Sequence, residues 1–250
     1  MSLMRIDKLL AQSGFGSRKE VKAILKKGLV NIDGEIIKTP ETKIDPKQAL
    51  IYVGNELIQY EKFIYLMMNK PEGIISATTD NNETTVIDLL DDQYYQYDLF
   101  PVGRLDKDTV GLIILTNDGI FAHRATSPKK RVDKVYYAKI KGSIGKDEIK
   151  KFSIGIVLDD GYICKPADLT ILNDLELGGT EKGYEIRLVI QEGKFHQVKR
   201  MFDAVGCEVV FLKRVEFAGI ALDESLNPGE VRRLNDIEMN KIIKLISRDE

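Results

Sequence analysis

Only two cysteines and two histidines occur in the 250 residues, and their positions exclude more than their number does. Cys164 and Cys207 stand apart from each other and from His123 and His196, so neither a zinc-ligand spacing nor a Cys-x-x-Cys redox pair exists. Reduced structural thiols are expected, with no metal and no cofactor. Long apolar runs are missing too, and the Met-Ser-Leu-Met-Arg-Ile-Asp start has no secretory apolar region, so the expectation is a cytoplasmic protein without membrane contact. No low-complexity tract or internal repeat is present. An excess of positive charge is also lacking: the net charge of −2 argues against a uniformly basic nucleic-acid binder.

The average hides an asymmetry. Residues 1–28 hold seven Lys or Arg (Arg5, Lys8, Arg18, Lys19, Lys22, Lys26, Lys27) against Asp7 and Glu20. Basic footprints belong to one face of a protein, so this segment is a candidate nucleic-acid surface. Apolar spacing predicts a short helix over 5–13 with Ile6, Leu9 and Leu10 on one side, closed at Gly14-Phe15-Gly16. Ser17-Arg18-Lys19-Glu20 has capping-box spacing and leads into Val21, Ile24 and Leu25, a second helix whose other face carries Arg18, Lys22 and Lys26. Gly28 stops it, and Leu29–Ile32 and Glu35–Ile37 flank an Asp33-Gly34 hairpin turn. Through residues 5–10, the Ser17–Glu20 cap and the Gly28–Gly34 turn, this module resembles the S4-like RNA-binding domain. The resemblance implies RNA contact through Arg5, Arg18, Lys19, Lys22 and Lys26.

At 250 residues the chain exceeds one average domain of roughly 100–200 residues, and two are expected: 1–60 and 61–250, joined near Gln59-Tyr60-Glu61-Lys62. The larger part reads as an α+β domain, a mixed and largely antiparallel sheet with helices at its sides. Its strand candidates are Phe63–Met68, Ile113–Leu115, Val135–Ile140, Leu169–Leu172, Tyr184–Ile190 and Val209–Leu212, with a helical period at Val86, Leu89 and Leu90. Gly178–Gly183 is expected as a hairpin tip. The acidic, tyrosine-rich Asp91–Asp98 reads as a surface loop, since its carboxylates would repel phosphate from an aromatic stacking platform.

Gly103-Arg104-Leu105-Asp106 sets a carboxylate beside an arginine on a glycine-punctuated loop, followed by the apolar strand Gly111–Leu115 and the turn Asn117-Asp118-Gly119. With Asn69–Gly73, Ser127-Pro128, Lys134-Val135-Tyr136, Cys164–Ala167, Glu192–Met201 and Leu212-Lys213-Arg214 in the same order, it resembles the active-site segments of the pseudouridine synthases along essentially the whole chain. The resemblance implies Asp106 as catalytic residue, Lys199 as its cation, and Tyr136 as a ring that stacks on the base and assists proton removal from it. It further implies Leu212 at the pocket floor, and Arg104 against RNA backbone, in the gap left by a flipped base, or as a brace of its own loop; Arg200, off the apolar stripe of its helix, is expected toward phosphate. In the segment from Phe195 to Val205, Val198, Met201, Phe202 and Val205 repeat at helical spacing as a core stripe, and Lys199 and Arg200 fall off it. Uridine isomerisation involves neither redox change nor transfer to solvent, so a positioned carboxylate suffices. Thr126-Ser127-Pro128 and Cys164–Ala167 look more like enzymes of small-subunit (16S) ribosomal RNA than of the large subunit, and a monomer is expected. Two rivals remain: a non-catalytic RNA-binding or ribosome-assembly protein, and a phosphatase whose Asp-x-Asp-x-Thr/Val pattern would be Asp106–Val110. The second is weakened by Gly103-Arg104, which interrupts the required preceding strand, and by the lack of later paired acids.

Overall fold

The computed structural model describes residues 3–46, 48–58, 60–176 and 182–247. The chain forms two compact units, Met1–Ile64 with Leu90–Leu99, and Tyr65–Leu89 with Phe100–Glu250.

In the first unit β1 (Met4–Arg5) leads into α1 (Ile6–Gln12), and α2 (Arg18–Lys26) follows at once. The break between the helices needs left-handed backbone at Gly14 and Gly16, which glycine adopts without a Cβ clash. The capping box is formed: Ser17 Oγ accepts from Glu20 N, and Glu20 Oε2 accepts from Ser17 N at 2.7 Å. β2 (Val30–Ile32) and β3 (Glu35–Ile36) make the expected hairpin, with positive φ at both Asp33 and Gly34 as a two-residue turn of matching twist requires. β4 (Lys43–Ile44) pairs with β1, and β5 (Ile51–Val53) joins β2 to β6 (Glu56–Leu57). Ile6, Leu9, Leu10, Val21, Leu25, Val30 and Ile51 form the core, which leaves the charged face of α2 to solvent. Asp91–Asp98 corrects the loop expectation, because Asp92–Tyr97 winds into a 3-10 helix that buries Tyr94.

The second unit is built on one sheet in the order β11 (Asp168–Glu176), β12 (Lys182–Ile190), β10 (Lys134–Lys141), β13 (Glu208–Phe217), β9 (Val110–Thr116), β7 (Tyr65–Lys70), β15 (Val231–Arg233). β8 (Phe100–Pro101) pairs with β9, and β14 (Ile220–Ala221) with β13. Among the described strands every pairing in this sheet is antiparallel except β13 with β9, so the sheet is mixed and largely antiparallel. That parallel contact explains Gly111: its φ is +99°, and a Cβ there would stand 2.4 Å from the Arg214 carbonyl oxygen. β7 is buried along its whole length, as a central strand with both faces covered must be. On one face Tyr65, Met67, Leu112 and Ile114 pack with Phe121 and Ala125 of α3 (Gly119–Thr126) and Ile242 of α6 (Asp236–Ser247). α4 (Lys146–Ile154) and α5 (Gln197–Asp203) meet through Phe152 and Phe202, whose ring centres are 5.0 Å apart. No described helix is long and apolar enough to cross a membrane.

Two further expectations are corrected and one is untouched. Val86, Leu89 and Leu90 lie in a turn, because Thr85 and Asp88 bond to each other's backbone and side chains at 2.8–3.3 Å and satisfy the local amides without a helix. Asn117-Asp118-Gly119 is a helix start: Asp118 Oδ1 accepts from Ile120 N and Phe121 N, and Oδ2 from the Tyr65 hydroxyl. The Gly178–Gly183 tip falls largely on residues outside those described, though β11 and β12 pair antiparallel up to it.

Arg232 joins β15 to α6 by bonding Glu238 at 2.8 Å and Asp223 at 2.6 Å. Arg232 holds the Glu238 carboxyl below its ordinary value, and Ser225 followed by Arg232 pull Asp223 down to about 2. Depressed carboxyl values contribute stability that is complete above the ordinary range of about 3.8–4.5 and is lost as pH falls toward 2. Arg232→Gln should therefore lower the thermal midpoint at pH 7, with the gap from the parent narrowing as pH is taken from 5 to 2. An equal gap at both ends would place the effect in packing.

Candidate active site

A cavity of about 660 Å³ opens in the second unit, and Asp106 is on its wall. The loop that carries Asp106 is clamped from the end of β7 and the turn that follows it. Ser76 Oγ donates to the Leu105 carbonyl at 2.9 Å and accepts from Leu105 N at 3.0 Å, and Gly73 N donates to the Lys107 carbonyl at 2.9 Å. Lys70 is fully buried and gives its ammonium to the carbonyls of Pro71, Lys107 and Thr109. Burial pushes that amine down to about 8. Four backbone groups of the loop are thus tied to one strand end and the turn after it, which fixes the carboxylate before any substrate arrives.

Around Asp106 the charges are mixed. His196 Nε2 stands 3.7 Å from Oδ1, and Lys199 Nζ 4.0 Å from Oδ2. Lys199 is closer to Asp108, 2.5 Å from both of its oxygens, and this hydrogen bond holds the Asp108 carboxyl below its ordinary value. The cation expected for Asp106 is therefore shared by two carboxylates, and the nearer one is Asp108. Arg200, one residue on, turns away: it pairs with Asp159 and Asp160 and is not among the cavity's lining residues. Val198, Met201 and Phe202 are buried as the stripe requires, with Val205 past the helix end.

The floor is the face of two neighbouring strands. Tyr136 of β10 and Leu212 of β13 line the cavity, 7% and 5% exposed, and Tyr136 is the cross-strand partner of Arg214. Tyr137 points the other way and packs edge-on against Phe211, ring centres 6.1 Å apart. Arg104 lines the cavity and is exposed. Phe195 is exposed and stacks on the His196 ring at 3.8 Å, and His196 holds a left-handed φ of 49° at the start of α5. The two cysteines are both buried and free, and among the described residues no three of His, Cys, Asp and Glu are grouped to hold a metal.

Residues 64–204 match the family described as RNA pseudouridylate synthase, and residues 4–50 match the S4 domain. The chain belongs to the pseudouridine synthase family. An uncharacterised RNA pseudouridine synthase of Bacillus subtilis is 48% identical, the match covering 95% of this chain and 97% of that one. Ribosomal small subunit pseudouridine synthase A of Salmonella typhimurium is 38% identical, over 96% of this synthase and 100% of its own length. A crystal structure of a pseudouridylate synthase superposes with a TM-score of 0.65 at 35% identity, over 96% of this chain and 99% of that one. The synthase is an RNA uridine isomerase with an S4 domain at its N-terminal side.

Five residues of this site carried no role in the sequence reading: Lys70, Ser76, Lys134, His196 and Arg214. Lys134 and Arg214 had a usable signal. Each stands two residues from a recognised position, Tyr136 and Leu212, so strand alternation puts it on the same face. His196 lay inside the matched segment Glu192–Met201 without a role of its own, and Ser76 had no signal, because a hydroxyl bonding a loop is a product of tertiary folding.

Proposed function

We propose that this synthase converts a uridine of small-subunit (16S) ribosomal RNA to pseudouridine, with Asp106 as the reacting carboxylate and residues 1–60 as a docking domain for the catalytic domain 61–250. The observation that carries the reading is a clamped carboxylate on a cavity wall with a cation at 4.0 Å and a tyrosine on the same cavity. The target uridine must leave its stack to reach such a cavity, and it is held there against an apolar and aromatic surface. Asp106 attacks the sugar or base, or takes a sugar proton, as the glycosidic bond breaks. Lys199 keeps positive charge beside the carboxylates, Tyr136 stacks on the base and assists loss of its ring-carbon proton, and Leu212 closes the floor. Arg104 at the rim contacts RNA backbone or fills the gap behind the flipped base. Arg18, Lys19, Lys22 and Lys26 are exposed on α2 and meet RNA phosphates, while Arg5 does so from beside Asp7 and Glu41, which it already bonds. We take a monomer as the working form.

The small-subunit substrate is supported by the relatives of 37–38% identity that carry that name. Mapping pseudouridine across ribosomal RNA from cells with and without the synthase should show one small-subunit position lost, and regained with the parent chain but not with Asp106→Asn. Loss confined to large-subunit RNA would replace the substrate; no loss in ribosomal RNA would remove it.

An isomerisation that neither oxidises nor hydrolyses its substrate needs no metal. Activity should survive exhaustive dialysis against a chelator, with the RNA fold maintained by monovalent salt. Recovery only on adding a divalent ion, with RNA structure unchanged, would count against this chemistry.

A further inference from the structure

Two cations lie on the cavity floor with no anion to answer them. Arg214 is 2% exposed; its Nε donates to the Leu112 carbonyl at 2.9 Å, its guanidinium also meets the Tyr136 phenol, and its Nη2 has no partner. Lys134 is 8% exposed and, among the described residues, donates to the Val132 carbonyl alone, at 3.0 Å. Both lie over the ring of Phe217, Arg214 at 4.7 Å and Lys134 at 5.4 Å, and all three line the cavity. Among the described residues no carboxylate comes within 4 Å of either cation. Asp133 and Glu192 act on Lys134 from further away, and Glu192 is already engaged by Tyr162, Gln197 and the Lys165 amide. Two adjacent buried cations repel each other and lose hydration, and folding tolerates that only where another group answers them. A left-over guanidinium nitrogen in a cavity identifies the missing group as an acceptor.

We propose that Lys134 and Arg214 form a subsite for the detached uracil anion, holding it in the cavity between bond cleavage and bond formation. The proposal rests on the isomerase reading above. When the bond from C1′ to N1 breaks, its electron pair leaves with the base, giving a uracil monoanion whose charge is spread over N1 and the two carbonyl oxygens. The base then turns, C5 bonds to C1′ with the electron pair that left with the base, the C5 proton is lost and N1 takes up a proton, so the substrate and product have the same atoms. During the turn no covalent bond to the sugar retains the base. Fixed cations that donate to the carbonyl oxygens in more than one orientation hold the base without arresting the rotation, and the apolar sides supplied by Leu212 and Phe217 let the ring slide. A backbone phosphate is the other anion available, but it stays with the strand outside, whereas these groups lie on the floor beside Tyr136 and Leu212.

The experiment has two arms. With the parent enzyme, 5-nitrouracil, an anion at neutral pH, should inhibit at least about tenfold more strongly than neutral uracil, and the preference should shrink in Lys134→Met and Arg214→Met. In single turnover at saturating RNA the same variants should isomerise at least about a hundredfold more slowly and release free uracil, leaving a sugar without a base, whereas the parent releases none. Lys134→Arg and Arg214→Lys keep the charge and should restore most of the coupling, which separates a charge effect from misfolding. Equal inhibition by the two pyrimidines with the parent would overturn the proposal without calling on any variant. It would also be overturned if the Met variants kept the parent rate at saturation but lost RNA affinity and flattened its salt dependence, since that marks a phosphate contact. Pseudouridine formation by the parent tests the isomerase reading separately.

Discussion

Asp106→Asn should lower turnover by on the order of 10³–10⁴-fold while RNA affinity stays within about twofold of the parent. The amide matches the carboxylate in size and hydrogen-bonds, but it can neither attack carbon nor accept a proton, so every route open to Asp106 closes together. The surroundings should hold. Leu105, Lys107 and Thr109 are tied by backbone groups that the substitution does not touch, and Lys199 keeps its 2.5 Å bond to Asp108. A collapse of the site is therefore not available as an explanation for lost activity. Asp108→Asn gives the contrast: it removes the nearer partner of Lys199 and leaves that cation to Asp106, so turnover should stay within about tenfold of the parent. A phosphatase of the Asp-x-Asp type needs both carboxylates, and near-equal losses in the two variants would bring that chemistry back. The geometry already separates them, since Asp106 precedes the apolar strand Val110–Thr116 instead of following one of that kind. Single-turnover rates and equilibrium binding, measured on one RNA, decide the matter.

What could be read from sequence here was local. The Ser17–Glu20 cap, the Asp33-Gly34 turn and the strands through Tyr136 and Leu212 each depend on residues within a few positions, and the structure contains all of them. Val86–Leu90 shows the limit of that signal, because a Thr85–Asp88 pair outcompeted the apolar period. The pairing of Lys199 shows a second limit. Asp106 and Asp108 are two residues apart on one tight turn, and sequence spacing cannot tell which of them a lysine ninety residues away will meet. Neighbouring Arg200 had the same type and the same helix, yet it bonds Asp159 and Asp160, whose position is fixed only by the folded sheet. The floor cations are a third case. Strand alternation puts Lys134 on the face of Tyr136 and Arg214 on the face of Leu212, but that the two cations meet each other over one cavity is set by the register of β10 against β13.

Replacing Arg18, Lys22 and Lys26 together with glutamine should weaken RNA binding by on the order of tenfold or more at low salt and flatten the slope of log affinity against log salt by about two units. Each lysine or arginine that neutralises a phosphate releases a counterion, and for single strands a contact is worth about 0.7 of a unit of slope, so three contacts account for the whole change. The fold of the first unit should survive, since its core is made by Val21 and Leu25 on the other side of α2 and its cap by Ser17 and Glu20. Chemistry should survive as well, because Asp106, Tyr136 and Lys199 belong to the other unit. At saturating RNA the triple variant should turn over within about threefold of the parent, the loss appearing in the half-saturating concentration alone. Two results would refute this division of labour. An affinity unchanged at every salt concentration would make the stripe an ordinary solvated face, and a single-turnover rate that falls with saturation maintained would make α2 part of the catalytic apparatus.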